Sequence, residues 1–144
     1  MDCLQFTPVA PPNTDEVDAL KQGLIGFNDA VAGSLQHETI SCFVKDEQGQ
    51  ICGGIAGELK LGWLHIDGIW VLEHLRRQGV GARLLAQLEA FADARGAHGI
   101  FIKTTNYLAL EFYQQMSYHK FAQLDDMPPG YTSFFLKKEL HAEV

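Results

Sequence analysis

The sequence is short of cysteine, of positive charge and of long apolar runs, and each shortage excludes something. Its three cysteines, Cys3, Cys42 and Cys52, are odd in number and contain no Cys-x-x-Cys pair. Neither a disulfide framework nor a structural zinc site is therefore expected, and the thiols read as reduced and mostly buried. Eleven lysines and arginines stand against 18 aspartates and glutamates, a formal net charge of -7. That sign argues against nonspecific nucleic-acid binding, which needs a basic footprint to displace counterions. No apolar run approaches the roughly 20 residues that span a bilayer, and the start lacks the basic-then-apolar pattern of a signal peptide. No membrane partner and a cytoplasmic location are the corresponding expectations.

What is present suits one ordinary domain. The 144 residues are 47% hydrophobic and 20% charged, enough to bury a core, and no repeat or linker divides them. A single domain over residues 1–144 is expected. The acidic balance suits a cationic partner, and it is equally what keeps any surface soluble.

Periodicity supplies the elements. "LQFTPV" (Leu4 to Val9) reads as a first strand closed by Pro8, Pro11 and Pro12. A helix follows, capped by Asn13 or Thr14, with Val17, Leu20, Leu24 and Val31 at helical spacing. Gly23 and Gly26 inside it predict two short helices or a kinked one, broken at "GLIGFN". "TISCFVKD", "ICGGIAGELKLG" and "WLHIDGIWVL" then read as an antiparallel meander turning at Gly49 and Gly62. Val80, Leu84, Leu88, Phe91 and Ala92 mark one face of a helix stopped by Gly96; "GIFIKT" is a buried-type strand, "ALEFYQQM" a short helix, and "KFAQL" and "TSFFLKK" close the chain. The order implies a mixed α/β sheet, mostly antiparallel, with one right-handed strand-helix-strand crossover between Trp63 and Thr104.

The crossover opens with "RRQGVGARLL", Arg76 to Leu85. The first N–H groups of a helix lack partners and carry the positive end of its dipole. Gly79 and Gly81 keep side chains off them, while Arg76, Arg77 and Arg83 add charge, a combination suited to phosphate oxygens. A tight strand-to-helix connection with solvated arginines would read the same way. A P-loop would end in Gly-Lys-Ser/Thr, whereas Ala82 and Arg83 follow Gly81; a dinucleotide fingerprint would carry a glycine where Leu84 stands.

With these residues the chain resembles the Gcn5-related N-acetyltransferases (GNAT), whose signature of Arg or Gln, two residues, Gly, one residue, Gly or Ala is met by Arg76, Gly79 and Gly81. "NYLALEFYQQMSY" is similar to that family's Asn-x-x-Ala-x-x-Phe-Tyr pattern at Asn106, Ala109, Phe112 and Tyr113, with Ser117 where a glycine is common. The resemblance implies the GNAT (acyl-CoA N-acyltransferase) fold, helices on both faces of the sheet, acetyl-CoA as donor with CoA as product, and acetyl transfer to a primary amine. It places the CoA pyrophosphate on the turn formed by Gln78, Gly79, Val80, Gly81 and Ala82, with Arg76, Arg77 and Arg83 near. Pantetheine then runs beside Ile69, Trp70 and Val71, and Asn106 and Tyr113 approach the pantetheine and the thioester sulfur. Dimers are common in the family, so a homodimer is an open expectation.

The chemistry asks for a proton acceptor, a polarised carbonyl and a donor to the leaving thiolate. Tyr113 is the candidate donor. His65 and Asp67, two apart on a strand, should share a face with Ile69 and Val71. His65 is the candidate base, having the better intrinsic pKa, with Asp67 orienting the substrate and Glu58 as a rival base. His65 and Asp67 would also suit a metal, but a third ligand is not visible and none is expected. Phe27 and Asn28, and Tyr131 with Asp125 and Asp126, are candidate walls for a small cationic amine. A CoA-binding module without turnover, a nucleotide-binding regulatory domain, or an enzyme acting on a protein lysine or N-terminus are the alternatives.

Overall fold

A computed structural model describes residues 3–32, 37–105 and 107–141. The chain divides into two compact units, Met1–Leu35 and Gln36–Val144. In the first, the strand expected over Leu4 to Val9 is not formed. Pro8 has no N–H to give a ladder, and Pro11 and Pro12 follow closely. Helix α1 (Thr14–Ala32) comes next, entered through Asn13, whose carboxamide oxygen accepts the Glu16 N–H at 3.0 Å.

The break expected at "GLIGFN" is also absent: α1 runs unbroken for 19 residues. Gly23 and Gly26 cost up to about 1 kcal/mol each in propensity, but glycine, unlike proline, keeps its N–H and the helical bond it makes. Leu20, Leu24, Phe27 and Val31 form an exposed apolar stripe along this helix.

The second unit is a six-stranded sheet in the order β1-β2-β3-β4-β6-β5. Its strands are β1 (Glu38–Lys45), β2 (Ile51–Lys60), β3 (Trp63–Val71), β4 (Gly99–Thr104), β5 (His119–Asp125) and β6 (Thr132–Glu139), with α2 (Val80–Ala94) after β3 and α3 (Tyr107–Gln115) after β4. Only β3 and β4 are parallel, joined through α2. The two hairpins of the meander turn where expected. Asp46 accepts the N–H groups of Gln48 and Gln50 in the first. In the second, Leu61 and Gly62 both take positive φ, +55° and +82°, the two-residue geometry that matches strand twist.

Alternation decides which side chains are buried. Ile55, Leu59, Leu64, Ile66, Ile100, Ile102, Phe134 and Leu136 meet Leu84, Leu85, Leu88 and Ala92 of α2, together with Tyr113 and Tyr118, in one core. Gly57 lets α2 approach: a Cβ there would lie 3.3 Å from Leu88 Cδ2. Helix α3 shares that face, since Phe112 packs over Gly81 and the Tyr118 hydroxyl donates to Glu89 of α2 at 2.9 Å. Lys138 on β6 donates to the same carboxylate at 3.0 Å, tying helix to sheet.

Gly99 marks the tightest point of the crossover. A Cβ there would stand 2.6 Å from the Lys138 carbonyl oxygen and 2.6 Å from the Trp63 ring. The backbone partner cannot rotate away, so Gly99→Ala should lower the unfolding free energy in urea by about 1–3 kcal/mol.

Candidate active site

The middle of the sheet is split. β3 and β4 pair over only four rungs, from Trp63↔Gly99 to Ile66↔Ile102. Beyond them β3 stays with β2 and β4 stays with β6, so a wedge opens between two parallel strands. Its cause is a bulge: Ile66 faces Gly57 and Gly68 faces Ala56, leaving Asp67 as the extra residue. Such an insertion bends the strand and increases its twist.

The bulge also resets the side-chain alternation. Leu64 and Ile66 point into the core, and after the extra residue so do Ile69 and Val71, which pack against it. His65 therefore does not share a face with Ile69 and Val71, as simple alternation had suggested. It lies on the opposite face of the sheet with Trp63. Asp67 still reaches it, with 3.4 Å between His65 Nδ1 and Asp67 Oδ1. Trp70 is half exposed.

At the far end of β3 the chain makes a 3-10 turn at Glu73–Leu75 and then the glycine turn. Arg76 Nε donates to the Val71 carbonyl at 2.8 Å, tethering the turn to the strand end. Gln78 donates through its carboxamide to the His74 carbonyl. Arg77 and Gly79 both take positive φ, +65° and +82°, which only glycine adopts without cost. The first helical bond is Arg83 N–H to Gly79 carbonyl at 3.1 Å, and no side chain caps the helix. The N–H groups of Val80, Gly81 and Ala82 thus point out of the helix start, where the dipole is positive. The two glycines differ in role: nothing lies within 4 Å of a Cβ on Gly79, whereas one on Gly81 would touch Phe112 at 3.5 Å and Ile69 at 4.0 Å. Gly79 leaves room over the turn, while at Gly81 a side chain would meet α3 and β3 at ordinary contact distance.

Tyr113 follows Phe112 on α3, 2% exposed, its ring edge-on to Phe112 at 5.1 Å and to Tyr118 at 5.8 Å. Burial pushes its phenol pKa well above the ordinary range, so the hydroxyl keeps its proton at neutral pH. Asn106 lies outside the described residues.

On the face away from α2 and α3, His65 sits between Glu58 on β2 and Phe101 on β4, directly opposite each in register. Its ring stacks on Phe101 at 4.7 Å and 19°. Glu58 pairs with His37 Nε2 at 2.7 Å. A groove of roughly 380 Å³ runs here, lined by Glu58, Lys60, Leu61, Trp63, His65 and Phe101. Trp63 and Phe101 were not singled out from the sequence, although the alternation of "GIFIKT" puts Phe101 on the face opposite Ile100 and Ile102. Tyr131, in the β5–β6 connection, is exposed, and the Asp125 and Asp126 carboxylates there are engaged by Thr132 and by the Gly130 N–H. Phe27 and Asn28 belong to α1 in the first unit, with Phe27 largely exposed.

The turn and wedge fit a CoA-type ligand: free N–H groups and open space for phosphates, and a strand edge without ladder partners for an amide-bearing arm. The comparisons agree. The model of the "Acetyltransferase (GNAT) family" matches residues 7–118. Blasticidin-S acetyltransferase of Streptomyces morookaense is 38% identical over 104 residues, 72% of this chain and 76% of that protein. A crystal structure of a protein from Agrobacterium tumefaciens, assigned as an acetyltransferase, superposes with a TM-score of 0.88 at 26% identity, covering 95% of this chain and 100% of the other. A protein from Bacillus anthracis assigned as a streptothricin acetyltransferase, solved with acetyl coenzyme A, superposes at 0.64 with 22% identity, over 72% of this chain and 63% of its own. Wedge, uncapped turn and matched residues lead to one conclusion: the chain belongs to the GNAT family of acetyltransferases, enzymes that draw their acetyl group from acetyl-CoA.

Proposed function

We propose that this acetyltransferase modifies a primary amine on a small cationic molecule, by direct attack while both substrates are bound. The observation that carries the reading is the placement of His65 on the face away from α2 and α3, beside the bulge, opposite Glu58 in register and 3.4 Å from the Asp67 carboxylate. The uncapped turn lies at the start of α2, on the helix-covered side. Donor and acceptor thus have separate approaches that meet at the wedge. Carboxylates beside the base attract an ammonium group and do not disturb a distant pyrophosphate. The relative that acetylates blasticidin S supports a small-molecule acceptor of antibiotic type.

Acetyl-CoA supplies a thioester carbonyl and a thiolate leaving group. The N–H groups of Gln78 through Ala82 hold the pyrophosphate, with Arg77 and Arg83 adding charge, while Arg76 keeps the turn fixed to β3. The free edge of Ile69 to Val71 receives the pantetheine amides and offers an N–H to the carbonyl oxygen. Asn106 is assigned to the pantetheine by its motif position alone. His65 takes the proton from the acceptor's ammonium group, Asp67 holds its Nδ1 side, and Glu58 anchors the cation. Tyr113, protonated because buried, donates to the sulfur.

Purified protein should melt at higher temperature with acetyl-CoA or CoA and be unaffected by ATP or NAD, because a ligand bound only to the folded state stabilises it; a response only to ATP or NAD would overturn the reading. Gln78→Glu places a carboxylate beside the phosphates in a solvent-exposed turn, and isothermal titration should show CoA affinity weakened by about tenfold at low salt. Tyr113→Phe should cut kcat on the order of 10–100-fold with little change in KM for acetyl-CoA. His65→Gln should cost about 100-fold or more in kcat near neutral pH, measured by thiol release with blasticidin S, spermidine or kanamycin as acceptor.

A further inference from the structure

Phe101 has no part in the core. β4 buries Ile100 and Ile102 against α2 and α3, while Phe101 turns its ring to the opposite face. There it meets Trp63 of β3 edge-on at 6.3 Å and 70°, and Trp63 itself meets His98 at 5.2 Å. Two residues further along β3, the His65 imidazole stacks on it at 4.7 Å and 19°. A histidine side chain that is 43% exposed would otherwise sample several rotamers. Two contacts restrict this one: the Phe101 ring on its flat side and the Asp67 carboxylate at Nδ1.

We propose that Phe101 is a positioning residue for acetyl transfer, holding the His65 imidazole in the one orientation from which Nε2 takes the acceptor's proton. The inference rests on the reading of His65 as the base. The step moves one proton, from the ammonium nitrogen to His65 Nε2, and exposure lets His65 pass it to solvent. With Asp67 beside Nδ1, the tautomer carrying its proton on Nδ1 is favoured, and Nε2 is left with its lone pair. Stacking then fixes the plane in which that lone pair lies, as orientation requires of any base. The other charged or titratable groups on this face are Glu58, paired with His37, and Lys60 on β2, Lys103 on β4 by alternation, Lys137 and Glu139 on β6, and His119 on β5; Lys137, opposite Phe101 in register, is paired with Glu139 at 3.3 Å, and the flat side of the His65 ring is covered by Phe101.

The test compares Phe101→Leu, Phe101→Tyr, His65→Gln and the Phe101→Leu/His65→Gln double variant, using the best acceptor among blasticidin S, spermidine and kanamycin and following thiol release from pH 6.5 to 9.5. Phe101→Leu should lose about tenfold in kcat near pH 7, with KM for acetyl-CoA and the CoA-induced thermal shift unchanged. The deficit should shrink toward about pH 9.5, where the amine sheds its proton unaided. Phe101→Tyr should restore most of the activity, and in the His65→Gln background Phe101→Leu should cost nothing further. A deficit independent of pH, an additive double variant, or no deficit at all would overturn the proposal while leaving His65 as the base. A fully active His65→Gln, or no thiol release with any acceptor, would overturn the reading of the base itself and the inference with it.

Discussion

The ladder between β3 and β4 stops after four rungs, and the rest of the site follows from that interruption. In a continuous sheet every central strand spends its N–H and C=O groups on both neighbours. Here the extra residue at Asp67 keeps β3 paired to β2 but swings it away from β4 beyond Ile66. The result is a strand edge in the middle of a sheet, where β3 has no ladder partner on the β4 side beyond Ile66. Edges elsewhere lie at the rim, at β1 and β5.

The same bulge separates the chemistry of the two faces. Because one residue is inserted, Ile69 and Val71 turn into the core with Ile66, and His65 is left on the far side. The face bearing α2 and α3 presents the dipole-positive turn and a proton-bearing tyrosine; the opposite face presents an imidazole with carboxylates near it. Under the proposed function, that division sorts an anionic donor from a cationic acceptor by electrostatics.

Around this opening the structure is held by side-chain contacts and hydrogen bonds. Phe112 and Ile69 both close on Gly81. Arg76 spends its side chain on the last carbonyl of β3, and Glu89 joins Tyr118 of the β5 approach to Lys138 of β6. A uniform charge-and-glycine reading of "RRQGVG" misses this division of labour: Arg76 and Gln78 hold the turn through their side chains, while Gly79 and the uncapped helix start leave it accessible.

The sequence by itself determined the mixed sheet, the two hairpin turns, the crossover helix and the family signature, because hydrophobic period, glycine position and motif spacing are local properties. It also singled out Tyr113, the glycine turn and the pair His65 and Asp67 as candidates. It misread Leu4 to Val9 as a strand and Gly23 to Gly26 as a break, since a strand needs a ladder partner that propensity does not supply and a glycine weakens a helix without removing its hydrogen bond. Only the tertiary structure decided which face His65 occupies, that Phe101 stacks on it, and that Arg76 is bound to Val71. Each of those depends on one inserted residue at Asp67, and a bulge arises from the register between two strands, which neither strand encodes alone.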